Sequence, residues 1–464
     1  METNAPFAQF LVAAPHSGAG KTTVTLGLLR ALHNRGLRVQ PFKCGPDFID
    51  PLHHTAAAGT PSINLDQYMM SPAHIRELYQ RHTAEADVAI TEGVMGLFDG
   101  ARKREGSSAD LAALLQLPVV LILNAKAMAY SAAALLYGLK NFDPALPIAG
   151  VIFNFVDTET HYHLLKEACD DVGVPALGHL PTNNHLHIPS RHLGLDTADA
   201  NDAIAAAERH IERYLDLDAI LAATRSSRLA PAGALASTEP AAPPSATASR
   251  SRKTILVARD AAFLFLYREN LRRLEAYGRI SFFSPLKDTQ LPPADLLYLP
   301  GGYPELHLEQ LSNNRSLWQD IRSFAANGGH ILAECGGMMV LGHSITDESG
   351  QSWPVAGLLD MATTIKEKKL TLGYRTLTLN NQTLKGHEFH YSQFTHDPAP
   401  NQRIAPNAAA GAAGTIKAAA NIAIHNARGQ EIPAPVFYRQ NIFASYMHFY
   451  WAENPGPLGD WLPQ

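Results

Sequence analysis

The stretch LVAAPHSGAGKTT, residues 11–23, constrains the fold more than any other. An apolar run leads into a glycine turn, and Lys21–Thr22 open a run with helical spacing. A parallel α/β sheet supplies that arrangement, because strand end, turn and helix N-terminus must converge on one point. There the N–H groups of the loop and of the first helical turn can surround phosphate oxygens. Ser17, Gly18, Gly20, Lys21, Thr22 and Thr23 are therefore the candidate nucleotide-phosphate residues. Lys21 brings a mobile positive charge, and the Thr22 hydroxyl a ligand for Mg²⁺. Pro15 stands where the usual spacing has glycine, so the loop is a variant one. An ordinary strand–turn–helix is the plainer alternative; Gly18, Gly20, Lys21 and Thr22 standing in phase argue against it.

The rest of the first half alternates in the same manner. Strands are expected at 9–14, 38–42, 87–91, 118–124 and 149–155, and helices at 21–35, 107–116, 128–142, 158–172 and, as one long piece, 200–223. Continuous apolar strands separated by helices imply a parallel sheet covered on both faces. Ligands of such sheets gather at the carboxyl ends of the strands. KCGPDFID (43–50) there offers Asp47 and Asp50, and AITEGVMGLFDG (89–100) offers Glu92 and Asp99. Caps on turns or helices are the alternative for these acids, less so for Glu92, which directly ends an apolar strand.

A chain of 464 residues is too long for one ordinary core. Residues 225–253 are rich in Ala, Pro and Ser with almost nothing to bury, as a linker is. Alternation then resumes, with strands expected at 254–258, 295–299 and 330–334 and helices at 263–277 and 317–327. The expected division is a synthetase domain at 1–223, a linker at 224–253 and a second α/β domain at 254–464. No run reaches the ~20 apolar residues of a membrane span, and the N-terminus lacks a basic signal-peptide region. Three cysteines far apart suit a reducing cytoplasm. A net charge of −5 gives no case for nucleic acid.

ILAECGGMMVLG, residues 331–342, reads as strand, sharp turn and helix with Cys335 at the bend. A nucleophile elbow has that form, and a helix starting at Gly336 would favour the thiolate. A buried structural thiol is the commoner fate of a free cysteine. Against it stand LYLPGGYPE (297–305), a strand end whose glycines could supply oxyanion-binding N–H groups, and His448 in an apolar, aromatic run, a candidate general base. HEFH (387–390) falls one residue short of the helical zinc pattern and reads as a strand, which excludes a metalloprotease.

Cys335, the Gly301–Gly302 pair and His448 resemble a class I glutamine amidotransferase domain. Many such domains have Glu two residues after the histidine; here Tyr450 is there. The first half resembles the dethiobiotin synthetase-like P-loop group. The two halves in this order resemble the cobyrinic acid a,c-diamide synthase family over all but the linker. The matching segments are SGAGKTT (17–23), KCGPDFIDPLHH (43–54), TEGVMGLFDG (91–100), SRHLGL (190–195), LPGGYPELH (299–307), AECGGMM (333–339), LGYR (372–375) and GHEFHYS (386–392).

The resemblance implies ATP-driven amidation of the a- and c-acetate carboxylates of a corrinoid through acyl phosphates, with ammonia drawn from glutamine. It implies Thr22, Asp47 and Glu92 as holders of Mg²⁺, Asp50 and Asp99 as shapers of the substrate end, and Asn154 as a contact of the nucleotide base. It implies Cys335 as nucleophile, Gly302 and Gly336 as oxyanion donors and His448 as proton carrier. A cytoplasmic homodimer acting on small molecules is the expected form. The same chemistry on hydrogenobyrinic acid or nickel-sirohydrochlorin, or that of a cobyric acid synthase, is the near alternative. A partition- or septum-positioning ATPase is the distant one, and it has no need of a Cys/His domain.

Overall fold

The computed structural model describes residues 7–183, 186, 197–229, 253–395, 422–438 and 441–462. The chain divides into two compact units, Met1–Ser237 and Thr238–Gln464.

The first unit carries strands β1 (Phe7–Ala13), β2 (Val39–Cys44), β3 (Ile63–Leu65), β4 (Val88–Glu92), β5 (Val119–Asn124), β6 (Ile148–Asn154) and β7 (Ala176–Leu180). They pair in parallel in the order β3-β2-β4-β1-β5-β6-β7. Every residue of β1 is buried, which is why FAQFLVA shows no alternation. The chain winds to one side of β1 through β2–β4 and to the other from β5 onward, so β1 ends at the point where the winding reverses. Helix α1 (Lys21–Asn34) starts at that end, and α2 (Ile49–Ala58) follows β2.

Two expectations are corrected here. The single helix expected at 200–223 is two, Thr197–Tyr214 and Leu217–Ala223. Asp216 breaks it by capping the second piece, its Oδ1 accepting from the Ala219 N–H at 3.0 Å. The residues after Ala223 also stay with this unit: strand β8 (Arg225–Ser226) pairs antiparallel with Phe7–Ala8 of β1. Gln9, buried in β1, donates to Ser226 Oγ at 2.9 Å and the Ser227 carbonyl at 2.8 Å, and accepts from the Tyr79 hydroxyl at 2.8 Å. Most of the expected linker and SRHLGL with His192 lie outside the described residues.

The second unit has a sheet of β9 (Thr254–Ala258), β10 (Arg279–Phe283), β11 (Leu296–Leu299) and β12 (His330–Glu334) in the order β10-β9-β11-β12, continued by Ile442–Ser445 and Val436–Tyr438. All pairings are parallel except the last. The helix expected at 263–277 is only Arg268–Leu274, because Phe265 leaves the helical path to bridge Gly301. Helix Arg315–Ala326 buries Leu317, Trp318, Ile321 and Ala325, one face at helical spacing. A second sheet joins Thr371–Leu379, Gln382–His390, Ile422–Asn426 and His448–Phe449. HEFH lies within its second strand, as expected.

Candidate active sites

In the first unit the loop between β1 and α1 turns on Gly18 and Gly20, both at positive φ (82° and 98°), where only glycine is unstrained. Lys21 is almost buried and its Nζ donates to the Met95 carbonyl at 2.6 Å. Burial lowers its pKa, and neighbouring Lys43 adds to that. Asn154, at the end of β6, donates from Nδ2 to the Ala19 carbonyl at 3.0 Å. A Cβ on Gly20 would stand 2.2 Å from that nitrogen, so Asn154 supports the loop from beneath. Beside it lies a cavity of about 70 Å³ lined in part by Gly20, Thr23, Asn154, Phe155, Asn183 and His210.

Behind the loop is a buried charge network that the sequence reading missed. Lys43 Nζ donates to Asp50 Oδ2 at 2.6 Å and Glu92 Oε1 at 3.0 Å. Glu92 also accepts from the Thr22 hydroxyl at 2.7 Å, and His54 Nε2 lies 2.6 Å from its other oxygen. Burial pulls the Lys43 pKa down, but Asp50, Glu92 and Asp47 outweigh it and hold the ammonium charged. Burial pushes Asp50 up to about 6 against the pull of Lys43. Glu92 is pushed up by burial too, yet Lys43 and His54 bring it well below the usual carboxylate range. The signal was available: Lys43 lies at the carboxyl end of a buried strand, next to its last residue, and parallel pairing sets it level with Glu92.

Asp47, in the turn before α2, accepts from Ile49 N–H at 2.9 Å through Oδ1, and Asp99 accepts from Gly96 N–H at 2.9 Å. Both acids thus make the turn contacts weighed as their plainer role. Thr22 and Glu92 form an oxygen pair next to Lys21. That suits Mg²⁺, which is commonly held by one or two carboxylates together with phosphates and water. Among the described residues no three His, Cys, Asp or Glu side chains converge as a metal-binding group.

In the second unit Cys335 has φ 47° and ψ −109°, a strained bend for a residue with a Cβ. Its N–H donates to the Ser445 carbonyl at 2.7 Å, tying the elbow to the neighbouring strand. A Cβ on Gly337 would stand 2.0 Å from the Leu299 carbonyl oxygen, so the bend packs hard against β11. Cys335 is 4 % exposed, and the helix that follows is a single turn, Gly336–Met339. Burial pushes the thiol pKa well up, and Glu305 adds to this; a hydrogen bond from the Gly336 N–H opposes it. Burial thus works against the thiolate that the helix start was expected to favour.

His448 lies three residues beyond the strand that pairs with β12. Its ring stacks on Phe265 (centroids 3.9 Å, 28° apart) and runs nearly parallel to His387 (5.2 Å, 27°). A Cβ on Gly301 would stand 2.1 Å from its Cε1. Burial, then His387 and His390, hold its pKa well below the ordinary value. Its Nδ1 has no hydrogen-bond partner among the described residues. The elbow, the glycine pair and the histidine ring thus meet: the space beside Gly336 is closed by Pro304 and the Gly302 carbonyl, and that beside Gly301 by His448.

A phosphate-loop unit joined to an elbow-cysteine unit defines the class: a ligase that spends ATP to make an amide with nitrogen from glutamine. Residues 10–195 match the CobQ/CobB/MinD/ParA nucleotide binding domain, and residues 254–456 the CobB/CobQ-like glutamine amidotransferase domain. The hydrogenobyrinate a,c-diamide synthase of Brucella anthropi is 43% identical over 84% of this chain and 90% of its own. That of Pseudomonas aeruginosa is 39% identical over 98% and 97%. The cobyrinate a,c-diamide synthase of Listeria monocytogenes is 36% identical over 96% and 97%. The chain belongs to the cobyrinate/hydrogenobyrinate a,c-diamide synthase family. A positioning ATPase is thereby set aside. No helix among the described residues is long and apolar enough to cross a membrane.

Proposed function

We propose that this chain amidates the a- and c-acetate carboxylates of cobyrinic acid, using ATP and glutamine. A carboxylate is a poor acyl donor because its oxygen leaves badly. Its oxygen attacks the γ-phosphorus and ADP departs; ammonia then attacks the acyl carbon, gives up a proton, and inorganic phosphate leaves, forming the amide. This is mainly positioning and charge compensation. Lys21 exchanges its Met95 contact for the transferring phosphoryl group, and Ser17, Gly18, Gly20 and Thr23 surround the phosphates. Thr22, Glu92 and Asp47 would hold Mg²⁺, which when bound offsets phosphate charge. Asp50 and Asp99 shape the substrate end. Asn154, supporting the loop and bordering the cavity beside it, contacts the nucleotide base.

In the second unit Cys335 gives its proton to His448 and attacks the amide carbon of glutamine. The Gly302 and Gly336 N–H groups receive the oxyanion. His448 passes the proton to the departing ammonia, and water then hydrolyses the thioester. The observation that carries this reading is the strained Cys335 backbone together with a buried histidine, His448, whose Nδ1 has no carboxylate partner among the described residues. The cobalt-free ring, hydrogenobyrinic acid, is a second reading, favoured by the relatives at 39–43% identity, which are hydrogenobyrinate a,c-diamide synthases. A cytoplasmic homodimer completes the proposal.

The test is amidation of each ring with ATP, Mg²⁺ and glutamine or ammonia, followed by mass. Lys21→Ala abolishes product with either nitrogen source. Cys335→Ala abolishes it with glutamine and spares it with ammonia. Glutamine use surviving in Cys335→Ala overturns the proposal.

A further inference from the structure

We propose that Glu305 is the seat for the α-ammonium group of glutamine, and that filling this seat readies Cys335 for attack. The inference rests on the reading of the second unit as a glutaminase.

Glu305 lies in a single 3₁₀ turn, Pro304–Leu306, just after the Gly301–Gly302 pair. That turn abuts the elbow: a Cβ on Gly336 would stand 2.7 Å from Pro304 Cδ. One Glu305 oxygen, Oε2, is sealed from solvent and has no hydrogen-bond partner among the described residues. The carboxyl also folds back on its own N–H, and Lys368 acts on it only weakly. An orphaned buried carboxylate oxygen is costly, and a native structure that keeps one calls for a reason. A ligand that supplies the missing donor is such a reason.

The other acids near the thiol are already satisfied. Buried Glu388 pairs with Arg375 at 2.7 Å. Glu334 accepts from the Tyr298 hydroxyl at 2.8 Å and from Phe449 N–H at 3.2 Å. The Tyr446 hydroxyl accepts from Ser392 Oγ at 3.1 Å. After burial itself, Glu305 weighs most on the Cys335 thiol, ahead of Glu388 and Glu334. A carboxylate beside a nucleophile keeps the proton on sulfur until a cation meets it.

Glutamine carries that cation three carbons from its amide carbon. Seating the α-ammonium on Glu305 cancels the field at the sulfur, and the thiol proton can pass to His448. An amide without the α-ammonium gains neither the contact nor the activation. Binding and activation are thus one event, and the free enzyme keeps its cysteine protonated. Burial pushes Glu305 up to about 7. The carboxylate is the form that accepts the ammonium, so the KM for glutamine falls as pH rises through about 7.

The experiment compares wild type with Glu305→Gln, which keeps the shape and removes the charge. The probes are glutamine and glutaramate, the same chain without the α-amino group. In Glu305→Gln, kcat/KM for glutamine drops about 10–100-fold, mostly through KM, while that for glutaramate stays within about threefold. The KM step near neutral pH disappears. Iodoacetamide alkylates Cys335 of the free variant with a midpoint at least about half a pH unit lower than in wild type. Glu305→Asp keeps the preference for glutamine and guards against loss of fold. An unchanged ratio between the two amides, or an unchanged alkylation curve, overturns the proposal. Loss of the glutaminase reading has its own signature, glutamine hydrolysis by Cys335→Ala.

Discussion

Replacing Lys43 by methionine tests the charge network behind the phosphate loop. The substitution keeps the length of the side chain and removes its charge. Lys43 is 3 % exposed and reaches Asp50 at 2.6 Å and Glu92 at 3.0 Å. At an effective dielectric constant of about 20, each contact attracts by roughly 5–6 kcal/mol. Desolvation offsets much of this. Removing one partner of a buried pair still costs about 3–5 kcal/mol, because charges stay buried without compensation. For a unit of this size that is a fall of roughly 6–20 °C in Tm. Calorimetry reads it, the relevant transition being the one that ATP raises. The sign with pH follows from the carboxyl groups. In wild type Glu92 is depressed, so it contributes stability that is present above its unfolded pKa and lost as pH falls through its folded pKa. Without Lys43 both carboxyls are raised by burial, so the deficit grows as pH rises and is larger at about pH 8 than at about pH 5. A deficit under about 1 kcal/mol, or one equal at both pH values, refutes the network as a stabilising hub.

Gly301→Ala places a Cβ where the His448 ring lies and lowers glutamine-dependent turnover about 100-fold or more, while ammonia-supported turnover persists; steady-state kinetics with both nitrogen sources checks it. Asn154→Ala removes the hydrogen bond under the loop and raises the KM for ATP about tenfold, with glutamine hydrolysis unchanged. Phe265→Leu keeps apolar bulk but removes the ring stacked on His448; kcat for glutamine hydrolysis falls about tenfold, read as a kcat rather than a KM effect.

The phosphate loop was legible because its geometry is local: glycines at positive φ and a lysine at a helix start leave few foldings open. The elbow was legible for the same reason, as were the buried strands, whose apolar runs need both faces covered. The Lys43 network was not, since Lys43 and its partners Asp50 and Glu92, with Thr22 and His54 around Glu92, come from separate elements (β2, α2, β4 and α1) and meet only through sheet register. Glu305 was passed over because an exposed turn acid and a half-buried one with an orphaned oxygen look alike in a sequence. Edge strands such as β3, three residues long, were lost because so short a run has no period. The break near Leu215 was missed because Asp216 reads as helix until its cap is seen.

The pairing of Arg225–Ser226 with the start of β1 sets where this enzyme can be cut. A fragment stopping at Ala223 would strip Gln9 of both acceptors for its amide nitrogen and take away Arg228, whose guanidinium sits 3.8 Å over the Phe7 ring. The damage would fall on the strand that leads directly into the phosphate loop. An isolated nucleotide-binding half therefore needs its tail through Leu229, and a shorter one should lose affinity for ATP before it loses its helices.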